Sequence, residues 1–305
     1  MTSEHRGPAI RGAYAAWVLL AAASVLGAPV EARAGGWTQP AGATYAKLWT
    51  RSIVGTLAYG HGGARETIRG LPRYQDHQLN LYVEYGLLDT LTLVMRSTPF
   101  GVASIGGETQ PYVGARGAGL RQALLRGAWP LALEVSYAWT APYGNEVLFE
   151  DERPTTASPT ALRVIRTQPT FSGHQLGGEL QLGHALPRGR WVSMALGVRW
   201  FSHPDVTPAL VGLFQLGRQW RPALSYEAHL TLYDPLAADI VVTNPLGAGQ
   251  TRYVGLGASL TWWVHPQVGL HAGVDGVITA SSNAATPSLM VGVELRRQRR
   301  RGRGE

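Results

Sequence analysis

The sequence predicts an all-β chain closed into a transmembrane, antiparallel, up-and-down β-barrel of about twelve strands, and three observations predict it. Apolar and polar residues largely alternate in segment after segment. The links between those segments are long and short in turn, and an export-type segment precedes them all. Leu79, Leu81, Val83 and Tyr85 alternate with Asn80, Tyr82, Glu84 and Gly86. Successive side chains of a strand point to opposite faces, so one face of such a strand is apolar and the other polar. Repeated around a closed sheet behind a secretion signal, that pattern describes an outer-membrane barrel with its apolar face toward lipid.

The first element is a targeting segment over residues 1–34. Arg6 and Arg11 are followed by an apolar run from Ala13 to Ala28, and Ala32-Arg33-Ala34 supplies a small-x-small cleavage site. The mature chain is expected to begin near Gly35. No later stretch is apolar enough for a membrane helix, because Gly, Ser, Thr, Glu and Arg dilute every segment. Cysteine is absent, which removes disulfides and thiolate chemistry. The net charge of +7 is concentrated at the ends: six arginines and one glutamate lie in residues 296–305, and the barrel itself is close to neutral. A basic tail over 297–305, without interleaved aromatics or a groove, argues against a specific nucleic-acid partner. It suits contact with anionic lipid headgroups or peptidoglycan.

Between these ends, residues 35–296 form one barrel domain with no composition break. Strands are expected at 43–53, 74–86, 89–97, 114–126, 130–141, 172–184, 190–201, 207–217, 222–233, 250–263, 267–279 and 287–296. The longer links, such as 54–73, 98–113, 142–171 and 234–249, take turns with short ones such as 87–88, 127–129, 218–221 and 264–266. Bacterial barrels have short periplasmic turns and long outer loops, so this parity puts both mature ends on the periplasmic side. Lipid-facing positions include Leu91, Leu93 and Met95, then Leu131, Leu133, Val135, Tyr137 and Trp139. Trp139, Trp200 and Trp262 stand at strand ends on the apolar phase, where an aromatic girdle is expected.

The polar phase collects the candidate functional residues: the acids Glu84, Glu134, Glu179, Glu227, Asp275 and Glu294, with Arg96, Arg199, His229 and His271. Such charges either line a selective narrow pore or pair with one another across the lumen and seal it, since a buried charge needs a partner. Pairing is the more economical expectation. Ser136, Ser193, Ser225 and Ser259 lie in strands, yet no serine and histidine share a recognisable local motif. His229, His271, Asp275 and Glu227 lack short metal-ligand spacing, and no phosphate-binding glycine loop follows a strand. The chain is therefore read as a non-enzyme without cofactor or metal.

Three stretches carry a family resemblance. Gly35-Gly36-Trp37-Thr38-Gln39-Pro40 is followed by Gly42 and by Tyr45-Ala46-Lys47-Leu48. Residues Leu79 to Val94 read LNLYVEYGLLDTLTLV, and Arg126-Gly127-Ala128-Trp129-Pro130 carries a short turn into Leu131-Ala132-Leu133-Glu134. They resemble a Gram-negative group of outer-membrane proteins similar to those of the phenol-degradation meta-pathway. The resemblance covers the first half of the chain in its residues and the second half in its rhythm. It implies an outer-membrane barrel and a conduit for small or hydrophobic compounds. One departure is the last strand, which runs from Leu289 through Leu295 into Arg296 rather than ending on an aromatic residue.

The function expected is a passive channel or transporter for small molecules, contacted by the inward residues, with access set by the loops 98–113 and 142–171. The alternative is a non-transport barrel that presents its outer loops for surface interaction or assembly. Outer-membrane lipid and the barrel-assembly machinery are the expected partners.

Overall fold

A computed structural model describes residues 36–60, 62–67, 73–105, 108–141, 147–151, 163–167, 172–204, 206–236 and 251–297. The targeting segment and residues 298–305 of the basic tail lie outside the described residues. Twelve strands form the wall: β1 (Thr44–Gly55), β2 (Tyr74–Leu88), β3 (Leu91–Ile105), β4 (Arg116–Leu125), β5 (Leu131–Thr140) and β6 (Gly173–Leu186), then β7 (Arg190–Phe201), β8 (Ala209–Arg221), β9 (Leu224–Pro235), β10 (Arg252–His265), β11 (Val268–Ser281) and β12 (Ser288–Arg297). Each pairs antiparallel with its neighbours in sequence. β1 pairs with β12 from Thr44 opposite Arg297 to Ile53 opposite Ser288, and this closes the ring. Among the described residues this closure pairs both flanks of the first and last wall strands, which is the condition for a sheet to stand in hydrocarbon.

The two faces separate as the alternation requires. Leu133, Val135, Tyr137 and Trp139 of β5 are exposed on the outer surface, whereas Ala132 and Glu134 are buried. The same exposed apolar phase continues through Leu196 and Trp200 of β7, Leu256 and Leu260 of β10, and Leu289, Val291 and Val293 of β12. A soluble monomer rarely exposes so continuous an apolar surface; around a closed ring it is a lipid-facing belt. Trp139 and Trp200 stand near one rim, and Trp220 and Trp262 near the other, all on the outer face. Four ends of this belt thus carry amphipathic rings where headgroups begin.

Connections at one rim are short: residues 89–90, 126–130, 187–189, 222–223 and 266–267. Those at the other rim carry additional structure. Leu57–Tyr59 pairs with both Arg65–Thr67 and Asn283–Ala284, and the Tyr59 hydroxyl donates to the carbonyls of Val277 and Ile278.

The expected loop 98–113 is corrected by the structure. β3 runs on to Ile105, and Glu108–Tyr112 returns along it, so most of this link is a β-hairpin standing above the wall. The register with β2 shifts between Leu79 and Leu81, beside Pro99. The shift inverts the phase, so that Phe100 faces out and Gly101 and Ala103 face in. Within the link 142–171, Val147–Asp151 pairs with Arg163–Thr167; the rest lies outside the described residues.

Candidate functional site in the barrel lumen

The inward side chains and the residues before β1 fill the lumen in layers. The lowest layer, at the rim of short turns, is the segment Gly36–Ala43, which crosses the barrel. At one end Gly36 approaches the backbone of Pro130 and Gln181, and the Trp37 ring occupies the space left by Gly183, where any side chain would collide with it. At the other end Gly42 N donates to Gly86 O at 2.8 Å and Gly86 N donates to Ala43 O at 3.0 Å. Thr38 Oγ1 donates to the Asp89 carbonyl and Ala41 N to the Asp89 carboxylate, each at 2.8 Å. Gly42 holds a φ of 76°, a left-handed turn that glycine adopts without strain.

Above this floor lies a charged layer organised by Arg121 of β4, whose side chain is only 5% exposed. Its Nη1 donates to Glu84 Oε1 at 2.7 Å and to the Trp37 carbonyl at 3.3 Å. Its Nε and Nη2 reach Glu134 Oε2 at 3.1 and 2.9 Å, and Nη2 also reaches the Tyr82 hydroxyl at 3.0 Å. Glu134, 1% exposed, accepts further from Arg96 Nη1 at 2.5 Å and from Gln181 Nε2 at 3.0 Å. Glu84 accepts from the Tyr82 hydroxyl and from Gln39 Nε2, the latter at 2.6 Å. A forked, permanently charged guanidinium suits this role, because it satisfies two buried carboxylates and a carbonyl from one planar group. The floor segment and the wall are thereby bonded into one network.

Of the other acids picked from the sequence, Asp275, Glu227 and Glu294 pair on the wall of β8 to β12 and β1, and Glu179 pairs with β7 beside the charged layer. His229 Nε2 meets Asp275 Oδ1 at 2.8 Å, and Glu227 accepts from Gln215 Nε2 at 2.9 Å, which in turn is bonded by Ser193 Oγ at 3.0 Å. Glu294 accepts from Thr261 Oγ1 at 3.1 Å, lies 3.0 Å from His271 Nδ1 and faces Lys47 Nζ at 3.9 Å. Arg199 Nη2 sits 3.4 Å from Glu179 Oε1. The ten residues picked from the sequence thus stand on the inward phase, but they pair along the wall with strands one or two away, not across the lumen as expected. Among the described residues no serine hydroxyl is hydrogen-bonded to His229 or His271, and no three metal-ligating side chains converge.

A cavity of about 300 Å³ lies beside the Arg96 and Arg199 pairs. It is bounded by Trp49 of β1, Asn80 and Tyr82 of β2, Arg96 of β3, Ser136 of β5, Gln175 of β6 and Arg199 of β7. Its lining residues come from β1 to β7 and the link between β3 and β4, so the space lies against one half of the wall.

A closed ring of twelve antiparallel strands, apolar outside and polar within, decides the fold. The chain has the fold of outer-membrane β-barrels. The COG4313 outer membrane channel from Pseudomonas putida F1 matches it with a TM-score of 0.59 at 15% identity, over 88% of this chain and 100% of that one. The NanC porin matches with a TM-score of 0.51 at 8% identity, over 82% of this chain and 98% of that one. No family model matches the chain, and no curated protein does.

Sequence reasoning missed the centre of the charged layer. Arg121 shares its phase with Gly117, Gly119 and Ala123, but the opposite phase of β4 contains Gln122, which blurs the alternation. Gln39, Lys47, Gln181 and Gln215 were also passed over. The floor segment carries no periodic pattern at all, and its only signal was the run of small residues and Trp37 ahead of the first strand.

Proposed function

We propose that this chain is a passive outer-membrane channel for small molecules, exported by cleavage after residue 34, with both mature ends in the periplasm. The observation that carries the reading is the cavity in the lumen. Barrels of ~8 strands are filled by side chains and those of ~16–18 hold an aqueous channel; here the wall leaves a space lined by both polar and apolar side chains. The fold it shares with an outer-membrane channel supports the reading. So does the resemblance to the outer-membrane proteins of the phenol-degradation meta-pathway, which extends the cargo to small, weakly polar compounds. Among the described residues the inward side chains hold no arrangement that activates a nucleophile, which fits transport without chemistry. The floor Gly36–Ala43 restricts the inner mouth, so passage is slow in the state described and faster when that segment is displaced.

A second reading, a closed barrel that presents its outer hairpins to a partner, is favoured by the floor and by the small sheet that joins Leu57–Tyr59 to Asn283–Ala284. Liposome swelling separates the two. Vesicles loaded with purified mature protein should swell in small solutes, and a variant lacking residues 36–41 should accelerate the swelling. If neither preparation swells, the barrel is closed and the second reading stands.

A further inference from the structure

The cavity has an electrostatic polarity that the charge count conceals. Among the described residues that line it only Arg96 and Arg199 are charged, and both are positive. Their partners are turned away: Glu134 is 1% exposed and Glu179 13%, whereas the side chains of Arg96 and Arg199 are 42% and 36% exposed. The acids lie behind the guanidinium groups and the open lumen meets the cationic side of each pair. Each guanidinium has five N–H donors. Arg96 directs a single nitrogen at Glu134, and Arg199 a single nitrogen at Glu179 across 3.4 Å. Most of their donors therefore remain for a guest.

The rest of the lining fits the guest's other end. Arg96 lies over the Tyr82 ring, 5.6 Å from its centre, so it is held in place by an aromatic face as well as by Glu134. Trp49 offers a large apolar surface, while Ser136 and Gln175 add neutral hydrogen-bonding groups. Asn80 is oriented by Thr98 Oγ1, which donates to its amide oxygen at 2.8 Å, and its buried amide nitrogen has no partner among the described residues. A volume near 300 Å³ is at the lower end of the range for ligand sites, which limits the guest to a small molecule.

We infer that the lumen cavity is a binding site for a small organic monocarboxylate, its carboxylate held by Arg96 and Arg199 and its apolar body against Trp49. The inference deepens the channel reading, from which it takes the cavity as a station on the route. Arg–carboxylate recognition is charge-assisted and directional. A neutral or cationic molecule of the same shape gains neither contact.

The test is calorimetric titration of the refolded full-length mature barrel in zwitterionic detergent with benzoate, benzyl alcohol and benzylamine, with empty micelles as blank. Benzoate should bind saturably and at least tenfold more tightly than the other two. Arg199→Gln should weaken benzoate at least tenfold. Glu179→Gln, which releases Arg199 from its acid, should tighten it severalfold, so the outcome does not hang on a variant that loses a contact. Equal affinity for the three probes, or no change in either variant, overturns the inference. Reversal potentials measured on the same preparations keep the two claims apart. Conductance without benzoate preference sinks the site and leaves the channel, whereas benzoate binding in a barrel that never conducts sinks the channel and leaves the site.

Discussion

Arg121→Met is the sharpest probe of the lumen, because it keeps the length of the side chain and removes the charge that two buried carboxylates share. Wild-type Arg121 makes contacts of 3.3 Å or less with Glu84, Glu134, Tyr82 and the Trp37 carbonyl. Breaking a buried ion pair by removing one partner costs about 3–5 kcal/mol, most of it the penalty of the stranded charge. Glu134 keeps Arg96 and Gln181, so the stranded charge is chiefly Glu84, left with Tyr82 and Gln39. The lower end of the range applies, about 3 kcal/mol, or roughly a hundredfold in the folded-to-unfolded ratio at 1.4 kcal/mol per decade. Urea unfolding and refolding of the barrel in phosphocholine bilayers, followed by the heat-dependent shift of the folded band on a gel, measures it. Adding Glu84→Gln to Arg121→Met should restore about 1 kcal/mol or more, since the unpaired carboxylate becomes a neutral amide. A loss below about 0.5 kcal/mol, the range of ordinary surface changes, would refute the buried network, and so would a double variant no more stable than the single one.

The remaining predictions address the faces, the floor and the orientation. Leu133→Arg puts a charge on the lipid side of β5 and should lose about 2–4 kcal/mol and most of its membrane assembly, whereas Glu134→Gln should insert and lose about 1–3 kcal/mol. Equal tolerance at the two positions in an outer-membrane fractionation assay removes the phase assignment. Gly183→Leu fills the space of the Trp37 ring and should release the floor segment, seen as faster liposome swelling and as new protease cleavage before β1. Unaltered swelling and cleavage would show that the floor is not held there. A cysteine at Pro222, in a short turn, should react with an impermeant maleimide only after the outer membrane is opened. Labelling on intact cells would invert the orientation.

The wall was legible because its physics is local. β5 reads L-A-L-E-V-S-Y-A-W, so burial and exposure follow from a two-residue period and the charge on Glu134 has one face available to it. β3 shows where that logic stops: Pro99 and the small residues after it read as a strand end. The sheet instead absorbs Pro99 at a register shift and continues for six more residues, Phe100 to Ile105. The inward charges were visible one by one, but their partners were not, because pairing depends on strands two apart being drawn together around a curved wall. Arg121 and Glu84 stand on β4 and β2, a relation that no spacing in the sequence encodes. Nor does any period mark residues 36–43, whose place is dictated by shape, a glycine on the wall opposite an indole from the chain's beginning.

The seam between β1 and β12 has a consequence for how the molecule is made. Thr50 Oγ1 bonds to the carbonyl of Val291, 241 positions further along the chain, and ten residue pairs zip that junction. Contacts so distant along the polymer form slowly, because a large loop must close before any of them is gained. Until the final hairpin is delivered, Thr44 to Gly55 exposes an unsatisfied flank. Assembly is therefore a last-step closure, and the stretch carrying Trp37 is enclosed within the cylinder in that event, as a cork set before the staves are hooped.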